Sequence, residues 1–283
     1  MPIEQILRGG PPRDGIPALD HPKTLPAAEA DWPEGERVLG VAAGDAARAY
    51  PLSILEWHEL VNDTLGDQPV LVSYCPLCGT GLVFDRQVAG EVLGFGVSGL
   101  LYRSDLLMYD RESESLWSQI SAEAVTGARL GQRLRLLRAR IERWADWRRR
   151  HPHTTVLSPD TGHDRDYRRS PYGDYARSGR LFGAARPDPR YHPKTRTLGL
   201  RVPGEGARAY PATELERGGA PVLERFLGRS VRVAYDADRD AFDVQAPGDV
   251  EVVEGYWFAW AAFHPETSVY TSPDTPSASS ADE

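Results

Sequence analysis

The stretch VSYCPLCGTGLVFDR, residues 72–86, holds both cysteines of the chain, Cys75 and Cys78. Two thiols at Cys-x-x-Cys spacing can clamp a metal ion, cycle between dithiol and disulfide, or fill space in a core. A thioredoxin-like motif places its first cysteine at a helix N-terminus, whose dipole lowers the thiol pKa. Here Cys78 is followed by Gly79, Thr80 and Gly81, then by Leu82, Val83 and Phe84. Glycines and β-formers make a poor helix and suit a tight turn that returns into a strand. Such a turn exposes backbone N–H groups to the sulfurs and has the form of a metal knuckle.

A closed zinc site needs four ligands, and the chain has no second Cys-x-x-Cys. The site is therefore completed from scattered residues, keeps an open position, or is shared by two subunits of a homodimer. Two thiolates joined by a thioether or imidazole suit copper as Cu(I), ahead of zinc and iron. The nearby donors are Met108, the only internal methionine, and His58, with His163 as a third. Two readings without metal stay open: a thiol–disulfide oxidoreductase, and a non-catalytic binding or scaffold module whose cysteines are packing.

Three further segments could carry chemistry on an unidentified small-molecule substrate. ILEWHELVND (54–63) reads as a short amphipathic helix in which His58 and Glu59 reach a metal or move a proton, or simply end the helix. VSGLLYRSDLLMYDRESESLW (97–117) alternates apolar residues with Ser98, Tyr102, Arg103, Asp105 and Asp110, the pattern of strands forming a pocket wall or an ordinary solvent-facing sheet. SPDTGHDRDYRRSPYGDY (158–175) is richer than a spacer needs. Within it His163 is a ligand or acid–base candidate and Arg165 an anion clamp, with Asp166 beside them. The bland alternative is a clamp of Arg–Asp pairs. The catalytic candidates are thus His163, Arg165, Asp166 and Tyr102. No phosphate loop, dinucleotide fingerprint, His-Glu-x-x-His or nucleophile elbow is present.

The elements that must position these groups show an internal repeat. LGVAAGDAARAYP (39–51) recurs as LGLRVPGEGARAYP (198–211), and ERWADWRRRHPHTTVL (142–157) as EGYWFAWAAFHPETSVY (254–270). Trp144, Trp147 and His151 fall on one helical face, as do Trp257, Trp260 and His264, and each proline after the histidine ends the helix. Helically spaced tryptophans read as core anchors. Between these markers both copies carry a β-hairpin, but only the first has cysteines in its turn. The first copy also holds an insertion of roughly 45 residues, about 92–138.

The expectation is an α+β protein, mainly antiparallel β-structure in two related halves with a few short helices. Residues 1–36, broken by proline, form an extended N-terminal arm; 37–157 form the first half and 158–195 a connector. Residues 196–270 form the second half, and 271–283 a disordered tail of Ser, Pro and acid.

The bulk numbers exclude several function classes. The 283 residues are 41% hydrophobic and 26% charged, a globular composition. A net charge of −8 argues against a sequence-independent nucleic-acid binder. Only Lys23 and Lys194 of the 33 basic residues are lysines. No apolar run is long enough for a membrane span, and the start lacks a signal-peptide pattern. A cytoplasmic setting, with reduced thiols, is the resulting expectation.

GGPPRDGIPALDHP, ARAYPLSILEWHELVND, YCPLCGTGLVFDR, FGVSGLLYRSDLLMYDRESESLWSQI and WADWRRRHPHTTVLSPDTGHDRDY together resemble the bacterial and archaeal domain-of-unknown-function family 3179. The likeness runs from about Gly9 to the end of the second repeat. It implies no activity, and relatives that carry export or lipoprotein signals leave the compartment open.

Overall fold

Residues 5–182 and 187–273 are described by the structure, a computed structural model. The central strands form because apolar β-formers run unbroken through them, the pattern of strands buried on both faces. In Gln68–Cys75 the alternation divides these residues between two cores: Val70, Val72 and Tyr74 enter one cluster, and Leu71 and Cys75 the other. The neighbouring strand Thr80–Asp85 divides likewise, Val83 to one side and Leu82 and Phe84 to the other.

Strands occupy 43% and helices 12% of the described residues, arranged as a five-bladed β-propeller. One blade orders Arg135–Leu137, Thr80–Asp85, Gln68–Cys75, Leu60–Leu65 and Leu19–Asp20. A second orders Ile6–Arg8, Phe95–Tyr102, Asp105–Asp110, Leu116–Ser118 and Glu123–Ala124. The third runs Ala139–Arg143, Arg37–Ala43, Ala46–Pro51, Thr155–Leu157 and Thr24–Pro26. The last two are Glu251–Tyr256, Arg196–Val202, Gly206–Pro211 and Ser268–Val269, then Val222–Phe226, Arg229–Asp236 and Ala241–Gln245. A small ribbon pairs Gln87–Val88 with Glu91–Val92.

The propeller corrects the expected α+β fold in two related halves. The four α-helices, α1 Leu52–His58, α2 Trp144–Arg150, α3 Ala212–Gly218 and α4 Trp257–Phe263, span only seven residues each. The first and third carry the chain from one blade to another, the second and fourth join strands of one blade, and they form no layer of their own. The insertion also builds most of a whole blade that the second copy lacks, so the molecule does not divide into equal parts. The repeat survives as an echo. The blades holding Arg37–Ala43 and Arg196–Val202 share a strand order, and their tryptophans sit alike. A Cβ on Gly40 would fall 2.3 Å from the Trp147 ring, and one on Gly199 would fall 2.2 Å from Trp260. Trp147 Nε1 donates to Thr154 Oγ1 and Trp260 Nε1 to Thr267 Oγ1, so both indoles are buried anchors with satisfied N–H groups.

The arm is extended, and it supplies the edge strands Ile6–Arg8, Leu19–Asp20 and Thr24–Pro26 to three different blades. Residues 274–283 of the expected tail lie outside the described residues, whereas Ser272 is buried and its N–H donates to Glu214 Oε2. No helix among the described residues is long and apolar enough to cross a membrane.

Candidate metal centre

The two cysteines lie at the end of an antiparallel hairpin in which Cys75 pairs with Thr80. Cys78 N donates to Cys75 O at 3.1 Å, closing the turn. Gly79 then takes φ +60°, and a Cβ there would fall 2.8 Å from the Tyr256 ring, so both backbone and space call for glycine. Tyr256 N donates to Cys78 O at 2.8 Å, which docks the turn onto a strand of another blade. The turn-and-strand reading of the glycines and β-formers holds.

A second hairpin brings the third donor. Phe95–Tyr102 and Asp105–Asp110 are joined by a two-residue loop, Arg103 at φ 52° and Ser104 at φ 68°. Positive φ at both positions is the primed turn that fits strand twist, though it normally takes Asn-Gly. Arginine and serine there cost roughly 1–2 kcal/mol each. The strained loop points the Ser104 carbonyl at Cys78, whose Sγ donates to it at 3.2 Å. Asp105 follows, and its carboxylate and the two sulfurs all lie within 4.8 Å of one another. All three side chains are buried.

Burial controls the protonation of this cluster. It pushes the Cys75 thiol up, an effect the hydrogen bond with Cys78 partly opposes, and pushes Cys78 well above the usual thiol range. Asp105 is raised to about 7, also by burial, with opposing help from the Ile120 N–H, which donates to Oδ2 at 3.0 Å. Its Oδ1 makes no hydrogen bond among the described residues. Nearby stands Lys194, only 7% exposed, with its Nζ 3.0 Å from the Tyr175 ring centroid and no hydrogen-bond partner. Burial lowers Lys194 to about 8, while negative charge on Cys78 and Cys75 would raise it.

The family profile described as "Protein of unknown function (DUF3179)" matches residues 13–252. The chain belongs to that family. No match was found among curated proteins or among solved structures. The DUF3179 assignment therefore confirms the resemblance seen in the motifs and brings no activity with it.

The other candidate residues of this DUF3179 chain are placed as follows. His58 is buried, with Nδ1 2.8 Å from Pro17 O and Nε2 2.7 Å from Tyr167 Oη. Burial lowers it to about 4, so the neutral ring donates through Nδ1 and accepts from Tyr167 through Nε2, leaving no lone pair for an ion. Met108 belongs to the same buried cluster as the cysteines. It lies three positions beyond Asp105, roughly 10 Å along the strand, and alternation turns it to the opposite face. His163 is exposed, its ring 5.1 Å from that of His58. Arg165 lies over Trp57, and Asp166 is exposed and paired with Arg168. Tyr102 packs edge-on against Phe263. Neither Asp105 as a ligand nor Lys194 was singled out from the sequence.

A cavity of about 560 Å³ adjoins the centre. Leu77, between the cysteines, and Leu106, next to Asp105, both line it, together with Glu59, Tyr172 and Arg165.

Proposed function

We propose that Cys75, Cys78 and Asp105 hold one transition-metal ion with a fourth position open, making this DUF3179 chain a metal-dependent protein acting on a small molecule. The observation that carries the reading is the convergence of three buried donors from two hairpins, beside a buried ammonium that has no hydrogen-bond partner. Isolated buried charges are costly and are normally paired or bound to metal. Two thiolates, one carboxylate, Lys194 as a cation and a divalent ion sum to zero charge. That sum, with the oxygen donor, moves the preference from Cu(I) towards a divalent ion, Zn(II) first and then Cu(II) or Fe(II). Copper or iron would support redox chemistry, and zinc would act as a Lewis acid.

The metal-free dithiol is the second reading, favoured by the closeness of the sulfurs. Thiols pushed up by burial are poor nucleophiles, which weighs against it. Elemental analysis of protein purified without added metal tests the choice. About one ion per chain, lost in both Cys75→Ser and Cys78→Ser, supports the metal reading. Two fast-reacting thiols and no stoichiometric metal would replace it with the dithiol.

A further inference from the structure

The cavity beside the centre has a distinctive division of chemistry. Its floor and walls are Leu77, Val97, Leu106 and the Tyr172 ring, and its volume of about 560 Å³ falls in the range of small-molecule sites. One polar pair lies inside: Tyr172 Oη donates to Glu59 Oε1 at 2.9 Å. Glu59 ends α1 with φ 57°, a positive value that a glutamate adopts only under constraint. Burial raises Glu59 to about 7 and raises Glu56, which also lines the cavity. Glu59 can therefore carry its proton near pH 7, so an anion entering the cavity meets one negative charge fewer.

The rim supplies the opposite charge. Arg165 lines the opening and lies 5.5 Å from the Trp57 ring centroid. Among the described residues it has no carboxylate partner; its one hydrogen bond goes to the Asp164 carbonyl at 3.5 Å. Arg180, also on the rim, is by contrast paired with Asp174 at 2.6 Å. A guanidinium held over an aromatic ring with no carboxylate within ion-pair distance among the described residues is suited to a carboxylate, although Asp164 and Asp166 flank it in sequence.

We propose that this cavity binds a small aromatic or branched aliphatic carboxylic acid, its apolar body against Leu77, Leu106 and Tyr172 and its carboxylate at Arg165. Protonated Glu59 then offers a hydrogen bond to any acceptor on the buried end of the ligand. The proposal deepens the metal reading by naming a substrate class. It rests on that reading only for the fate of the bound acid, since binding itself uses none of the three metal donors.

Calorimetric titration with 2-naphthoate and its neutral isostere 2-naphthamide tests this. Naphthoate is expected to saturate a single site with about tenfold higher affinity than the amide, the scale of one charge-assisted contact. Arg165→Gln, at an exposed position where folding is not at stake, is expected to abolish the preference. No binding of either probe, equal affinities in the wild type, or a preference that survives Arg165→Gln would overturn the proposal. Wild-type protein stripped of metal with chelator is expected to keep the preference for naphthoate over the amide, which separates failure here from failure of the metal site.

Discussion

Replacing Asp105 with asparagine should have opposite consequences in the metal-free and metal-loaded protein. In the metal-free chain, burial raises the carboxyl from 3.8 to about 7. A raised carboxyl favours its proton in the folded state. Its contribution is therefore fully retained below the unfolded value near 3.8, and stability falls as pH rises towards 7, with no further loss beyond. Three units at 1.36 kcal/mol each give about 4 kcal/mol as the order of the loss. Asparagine cannot ionise and keeps an oxygen to accept the Ile120 N–H, so the Asp105→Asn protein should be more stable than wild type at pH 8 by up to about that amount, and similar at pH 3.5. Urea unfolding in chelator across this range gives the difference, and other groups with raised pKa values, Glu59 among them, cancel in it. With zinc present the order reverses, because wild type gains binding energy and the variant loses an anionic ligand. Parallel pH profiles for the two metal-free proteins would refute the electrostatic reasoning, and equal zinc stabilisation would remove Asp105 from the ligand set.

Other consequences follow from the same geometry. Because burial lowers His58 from 6.5 to about 4, folding stability is lost as pH falls through that interval, and His58→Gln should flatten this acid limb in pH-dependent unfolding. Gly40→Ala, with its new Cβ 2.3 Å from the Trp147 ring, should cost about 1–3 kcal/mol and lower Tm; an unchanged Tm would mean the indole is free to move. Ser104→Gly should stabilise the chain by about 1 kcal/mol, since it relieves a φ of 68° and removes a buried hydroxyl without a partner. Lys194→Met should keep the fold but weaken zinc affinity about tenfold or more, measured by competition with a chromogenic chelator, as the compensating cation is lost.

The cysteine turn was legible because local chemistry dictates it: Gly79 needs a left-handed φ, and Leu82, Val83 and Phe84 return as a strand. The Trp-x-x-Trp-x-x-x-His pattern disclosed its buried helical face for the same reason. Asp105 could be seen only as one polar residue on an alternating strand. Its approach to the sulfurs depends on the Arg103–Ser104 turn and on two hairpins from different blades meeting, which no local pattern encodes. The one available signal was that the insertion belongs to the cysteine-bearing copy alone. Lys194 was hidden further, since its burial is created by Tyr175, Tyr256 and Phe258 converging from distant positions. The fold class failed where the two-copy repeat was taken to divide the chain into two halves, although the repeated segments build only two of five blades and the short helices are seven-residue connectors. His58 illustrates the limit of residue type as a guide: it is a natural ligand, yet it is held by Pro17 and Tyr167.

X-ray absorption at the zinc edge of the reconstituted protein addresses the ligand set most directly. The account predicts two sulfur scatterers at roughly 2.3 Å with lighter oxygen atoms at roughly 2.0–2.2 Å, one sulfur disappearing in Cys75→Ser. A shell made only of nitrogen and oxygen, or one unchanged by that substitution, would place the ion elsewhere and contradict the proposed centre.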